Sequence, residues 1–156
     1  MADVNASIHA SAVLIGPKAA LIRGPAGAGK SRLVLALLQA AEAGAGPSLC
    51  LPFARLVADD RAHLEASHGR LLVRPASTLA GLLEIRGLGL RRLPYEPVAA
   101  VALVIDLGME AAERLPPEGA LETTVAGIRL PRLAVAADMD ALPAVLAFLR
   151  TKPAGN

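Results

Sequence analysis

Gly24-Pro25-Ala26-Gly27-Ala28-Gly29-Lys30-Ser31 is the stretch of this 156-residue chain whose residue types and spacing can do chemistry most directly. A glycine, four intervening residues and then Gly-Lys-Ser let the backbone curl until several N–H groups face one anion. A helix opening just behind the loop adds its positive dipole end. Lys30 supplies a point charge for the outer phosphates of a nucleotide, and the Ser31 hydroxyl is an oxygen ligand for Mg²⁺. The spacing therefore predicts a P-loop for ATP. A plain glycine-rich turn ahead of an alanine-rich helix is the bland alternative. Only Lys18, Lys30 and Lys152 are lysines, and that scarcity speaks against an accidental lysine in the loop.

Phosphoryl transfer also needs an acid, either to hold the metal or to take the proton of the attacking hydroxyl. Two stretches offer one. Leu56-Val57-Ala58-Asp59-Asp60 ends in adjacent carboxylates, and Val101-Ala-Leu-Val-Ile-Asp106 ends an apolar run in one. Adjacent strand residues point to opposite faces, so Asp59 and Asp60 need not share a task unless the strand has already ended. Each aspartate can equally be a turn former. The residues alone leave the choice open.

The elements that must position these groups follow from patterning. Residues 11–16 and 19–23 are apolar runs around Gly16-Pro17-Lys18, which predicts two antiparallel strands ahead of the loop. A helix follows from about Ser31 to Ala43, apolar nearly all round except for Arg32, Gln39 and Glu42, and stopped by Gly44 and Gly46-Pro47. Residues 55–60 predict a strand, and 63–66 with 70–74 a hairpin around Ser67-His68-Gly69. Ser77 or Thr78 is placed to cap a short helix running to Glu84, before a break at Gly87-Leu88-Gly89. Val98 to Asp106 predicts a buried strand, 123–126 and 128–130 further strand, and 139–149 a last helix with Pro143 near its start. The expected fold class is α/β, a mixed sheet with a P-loop and flanking helices. Residues 1–150 form a single P-loop domain, and 151–156 a loose tail.

Composition narrows the function classes. A net charge of +2, scattered basic residues and 2% aromatics argue against nucleic acid, which needs a basic surface and rings for stacking. One cysteine, Cys50, excludes an internal disulfide and a cysteine-based metal site. The chain has neither a leader-like start nor a long uncharged apolar span, so no membrane association and a cytoplasmic location are expected. His63 and His68 fall in or near a turn and read as solvated.

His9, the loop Gly24–Ser31, Val57-Ala58-Asp59-Asp60 and Leu83-Glu84-Ile85-Arg86-Gly87-Leu88-Gly89-Leu90, in that order, resemble the catalytic domain of the HPr kinase/phosphorylase family. The last block is similar to that family's signature, and the match runs from about Ile8 to Leu93 and more thinly to Val135. The resemblance implies a fold similar to the nucleotide domain of phosphoenolpyruvate carboxykinase. It also implies an ATP- and Mg²⁺-dependent kinase acting on a serine of HPr, a small phosphocarrier protein, and a homo-oligomer.

Residue by residue, the resemblance makes Asp59 the general base, with Asp60 supporting the site. Lys30 stabilises charge on the transferred group, and Ser31 and Glu84 hold Mg²⁺. His9 serves proton relay or phosphate contact, Arg86 is a phosphate clamp or a partner of Glu84, and Arg114 matches a catalytic arginine. The loop starts after only 23 residues, which implies a form lacking the family's N-terminal domain. The family's late segment linked to dephosphorylation has no counterpart beyond 130–135, so kinase rather than phosphorylase activity is expected. Two other readings stand beside it: a small-metabolite kinase using Asp106, and a nucleotide sensor without chemistry.

Overall fold

The computed structural model describes residues 6–42, 51, 53–110 and 113–154. Strands β1 (Ala6–Ile8), β2 (Ala10–Ile15) and β3 (Lys18–Arg23) lead into helix α1 (Lys30–Glu42). Then come β4 (Ala54–Ala58), β5 (Ala62–Ser67), β6 (Arg70–Pro75), β7 (Leu82–Ile85), β8 (Gly89–Arg92) and β9 (Ala99–Met109). β10 (Glu122–Val125), β11 (Ile128–Ala136) and helix α2 (Ala141–Arg150) follow.

Seven strands run in the order β1-β5-β6-β9-β3-β2-β4. β9 is the hub. It pairs parallel with β3 along one edge and divides the other edge between β6, antiparallel at Ala99 and Ala100, and β11, parallel from Val104 onward. The sheet forks at that point, and β10 extends the branch as an antiparallel partner of β11. β2 lies antiparallel between β3 and β4, so the pairing is mixed, and the whole curls into a half-barrel.

Alternation along β3 shows how two cores are filled. Ala19 and Leu21 enter one apolar cluster, while Ala20 and Ile22 enter the other. The first cluster consists of strand residues, among them Leu64, Leu71, Val73 and Val101: the sheet buries this face against itself by curling. The second takes in Leu33, Val34 and Leu37 of α1, Val145 of α2 and Leu83 of β7. Each fully buried Leu or Val contributes about 1.5–3 kcal/mol. Arg32, Gln39 and Glu42 are the exposed positions of α1.

The α/β expectation is thereby corrected. The protein is mainly β, with two α-helices among the described residues, and it is not a helix-flanked P-loop α/β domain. The physical reason is that the second face of the sheet needs no helix, because the hairpin β5–β6 and strand β1 fold over it. The helix expected from Ser77 to Glu84 is also absent. Ser77–Leu79 is a single 3₁₀ turn with no side-chain cap, and Leu82–Ile85 is strand. α2 starts two residues later than expected, where Asp140 accepts from the Leu142 amide at 3.2 Å. The helix stop assigned to Gly44 and Gly46-Pro47, and Cys50, lie outside the described residues.

Candidate active site

The glycine-rich segment spans the gap between the end of β3 and the start of α1. It is seated against the far end of β9: a Cβ on Gly24 would stand 3.0 Å from the Leu107 carbonyl oxygen and 3.2 Å from Ala28 Cβ. Gly29 turns the chain into the helix at φ 97°, a conformation that costs an L side chain but not glycine. Lys30 Nζ donates to the carbonyls of Gly24 at 2.7 Å and Pro25 at 3.1 Å, which ties the side chain across its own loop.

β4 ends at Ala58, so Asp59 and Asp60 lie beyond it and strand alternation does not govern them. The Arg61 amide donates to the Asp59 carbonyl at 2.8 Å around Asp60, whose φ is 68°. This tight γ-like turn sends the two carboxylates apart. Asp59 is 5% exposed. Its Oδ1 accepts from Ser11 Oγ and from Ser31 Oγ, both at 2.7 Å, and its Oδ2 accepts from the Glu84 amide at 3.3 Å. One buried carboxylate therefore joins β2, the first turn of α1 and β7, and these donors offset the cost of taking its charge out of water. Asp60 points outward, 3.8 Å from His9 Nδ1, with both side chains largely in solvent. A pair so exposed adds little to stability.

The other residues singled out from the sequence sit at varying remove. Glu84 reaches the cluster through its backbone amide, while the residue itself lies on the exposed face of β7. Arg86 is exposed in the β7–β8 turn, where the Leu88 amide donates to the Ile85 carbonyl at 2.9 Å. It forms no ion pair with Glu84 among the described residues. Arg114 is exposed on the bend before the 3₁₀ turn Glu118–Leu121 and makes none of the cluster's contacts. His68 is exposed and bonded to Ser67 at 3.0 Å, whereas His63 sits half-buried inside β5 rather than in a turn. Ser11, fully buried, is the residue that sequence reasoning missed.

Asp106 does not end its strand; β9 continues to Met109. Arg23 clamps it with two bonds, 2.8 Å to Oδ1 and 2.9 Å to Oδ2, and Arg132 adds a third at 2.5 Å. Burial alone raises its pKa, but the hydrogen bonds and charges of Arg23 and Arg132 outweigh that and hold the carboxyl below its ordinary value. Two guanidinium groups thus occupy the carboxylate, leaving it a structural centre rather than a free metal acid. Among the described residues, no three His, Cys, Asp or Glu side chains converge as a metal site, and no helix is long and apolar enough to cross a membrane.

A glycine-rich loop set between a central strand and the first helix of a curled, mainly-β mixed sheet defines the class of protein to which the chain is to be compared. The solved structure of the Hpr(Ser) kinase/phosphatase from Coxiella burnetii matches it with a TM-score of 0.68 and 26% sequence identity, over 92% of this chain and 93% of that chain. The chain is related to the HPr kinase/phosphorylase family. No family model matches the sequence, and no curated protein does.

Proposed function

We propose that the chain is an ATP- and Mg²⁺-dependent protein kinase that transfers a phosphoryl group to a serine of an HPr-type phosphocarrier protein. The observation that carries the reading is the 2.7 Å hydrogen bond between Ser31 Oγ and Asp59 Oδ1. It sets a buried carboxylate one hydrogen bond from the residue in which the glycine loop ends. The match to a Hpr(Ser) kinase/phosphatase supports the substrate class.

In this reading the amides of Gly24–Ser31 cradle the phosphates, and Lys30 exchanges the carbonyls of Gly24 and Pro25 for phosphate oxygens. Ser31 and the Glu84 carboxylate hold Mg²⁺, with Asp60 in support. They are hard oxygen donors, and this ion commonly takes one or two carboxylates and completes its shell with phosphates and water. When bound, it neutralises charge developing on the transferred group.

Asp59 takes the proton of the substrate serine as that oxygen bonds to the γ-phosphorus and the bond to the β–γ bridging oxygen breaks, giving phosphoserine and ADP. Oδ2, with its single long bond, is the oxygen that receives the proton. A carboxylate is basic enough, because the serine oxygen gains charge only as the new P–O bond forms. His9, beside Asp60, serves proton relay or phosphate contact, and the exposed Arg86 and Arg114 meet phosphate when substrate is seated. The same reading carries a cytoplasmic location, a homo-oligomer and kinase rather than phosphorylase activity as the principal reaction.

The test is to incubate the full chain with ATP, Mg²⁺ and an HPr-type carrier and to map modification by mass spectrometry. One phosphoserine on the carrier is expected. A carrier left unmodified by protein that binds ATP tightly would reduce the chain to a nucleotide sensor and end the kinase reading.

A further inference from the structure

Resting on the kinase reading and extending it, we infer that a cleft beside the loop receives the nucleoside of the nucleotide, with Arg32 at the junction between nucleoside and phosphates. A cleft of about 480 Å³ starts at Gly29 and runs along α1 past Arg32 and Ala36. Its opposite wall comes from Leu107 at the end of β9 and from Asp138 and Met139 ahead of α2. That volume falls within the range of small-molecule sites, about 300–1,000 Å³. The lining is polar and apolar in about equal measure, with apolar walls for a flat base and polar groups for a ribose.

Arg32 gives the cleft its direction. The residue follows Ser31 directly, and its guanidinium folds back over Gly29, with atoms 3.2–3.6 Å from where a Cβ on that glycine would stand. Among the described residues it has neither a hydrogen-bond nor an ion-pair partner, so all its donors are free for a ligand. A positive, planar group with free donors thus lies where a chain of phosphates leaving the loop would enter the cleft. Ala36 is one turn further along the same face of α1, and its small side chain keeps the cleft open. Asp138, exposed on the far wall, offers acceptors for ribose hydroxyls.

Titration calorimetry of the full chain with Mg²⁺ and either ATP or inorganic tripolyphosphate tests this. Wild type is expected to bind ATP about tenfold or more tightly than tripolyphosphate, because only ATP carries a nucleoside to bury. Ala36→Phe fills the cleft and is expected to remove most of that preference while leaving tripolyphosphate binding unchanged, which also reports that the variant is folded. Met139→Trp narrows the cleft from an exposed position and should act in the same direction should Ala36→Phe not fold. Arg32→Gln is expected to weaken both ligands by about tenfold. An ATP preference that survives both cleft-filling variants overturns the inference and leaves the loop reading intact. Wild type that binds neither ligand removes the loop reading, and the inference with it.

Discussion

Asp59 has three donors and two oxygens, and they are not shared equally. Oδ1 is fixed by two hydroxyls at 2.7 Å, while Oδ2 has one amide at 3.3 Å. Ser11 anchors the first oxygen and needs no substrate to do so. Ser11→Ala leaves that oxygen with Ser31 alone and is expected to cost about 1–3 kcal/mol in urea unfolding. In phosphoryl transfer it should lower kcat and leave the KM for ATP near the wild-type value. A loss of stability with kcat unchanged would make Ser11 a packing residue only. Ser11 was illegible in the sequence because its partner lies 48 residues away, and a serine inside an apolar strand carries no mark of what it faces. The Asp59-Asp60 pair was legible as two carboxylates at the end of a strand, but the turn that separates them was not: it depends on β4 ending at Ala58.

At the scale of elements, three neighbouring strands converge on Asp106. Its backbone stands in register with Arg23 on β3 and Ala134 on β11, and Arg132 reaches it from two residues before Ala134. No single strand shows this clamp; it exists only once β3, β9 and β11 lie side by side. The pKa of Asp106 is lowered in the folded state, so at low pH the unfolded chain binds the extra proton first. Its contribution to stability is complete above the ordinary carboxylate value of 3.8 and is lost as pH falls through the lowered folded value. Urea unfolding from pH 6 to pH 2 is expected to show a loss of stability below about pH 4 that is smaller in Asp106→Asn. The variant should already be less stable at neutral pH by about 3 kcal/mol, because two guanidinium groups face each other without their counter-charge. An unchanged acid limb in the variant would show that the clamp does not drive it.

Elements with strong local signals read correctly. Alternation around Ser67-His68-Gly69 marked the β5–β6 hairpin, and the loop followed by an apolar run marked α1. Leu82–Ile85 misled, since Ser77 or Thr78 is placed to cap a helix that would run on to Glu84. Pairing with β8 and burial of Leu83 among residues of α1 decide for strand.

For the whole molecule, the apolar content set the size of the core but not the means of covering it. Helices on the sheet were the expected cover; the sheet instead curls over one face and gives only the other to α1 and α2. The curl depends on β9 dividing one edge between β6 and β11, a non-local arrangement that periodicity does not encode. It brings Ser11 and the turn after β4 to the start of α1, and so builds the Asp59 cluster.

The account is tested most directly by following label from the γ-phosphate of ATP onto the serine of an HPr-type carrier with wild type, Asp59→Asn and Asp106→Asn. Asp59→Asn is expected to slow transfer by about a hundredfold or more while still binding ATP. Asp106→Asn, assayed below its melting temperature, is expected to retain transfer. Equal transfer by Asp59→Asn and wild type, or loss of transfer confined to a folded Asp106→Asn, would contradict the central claim.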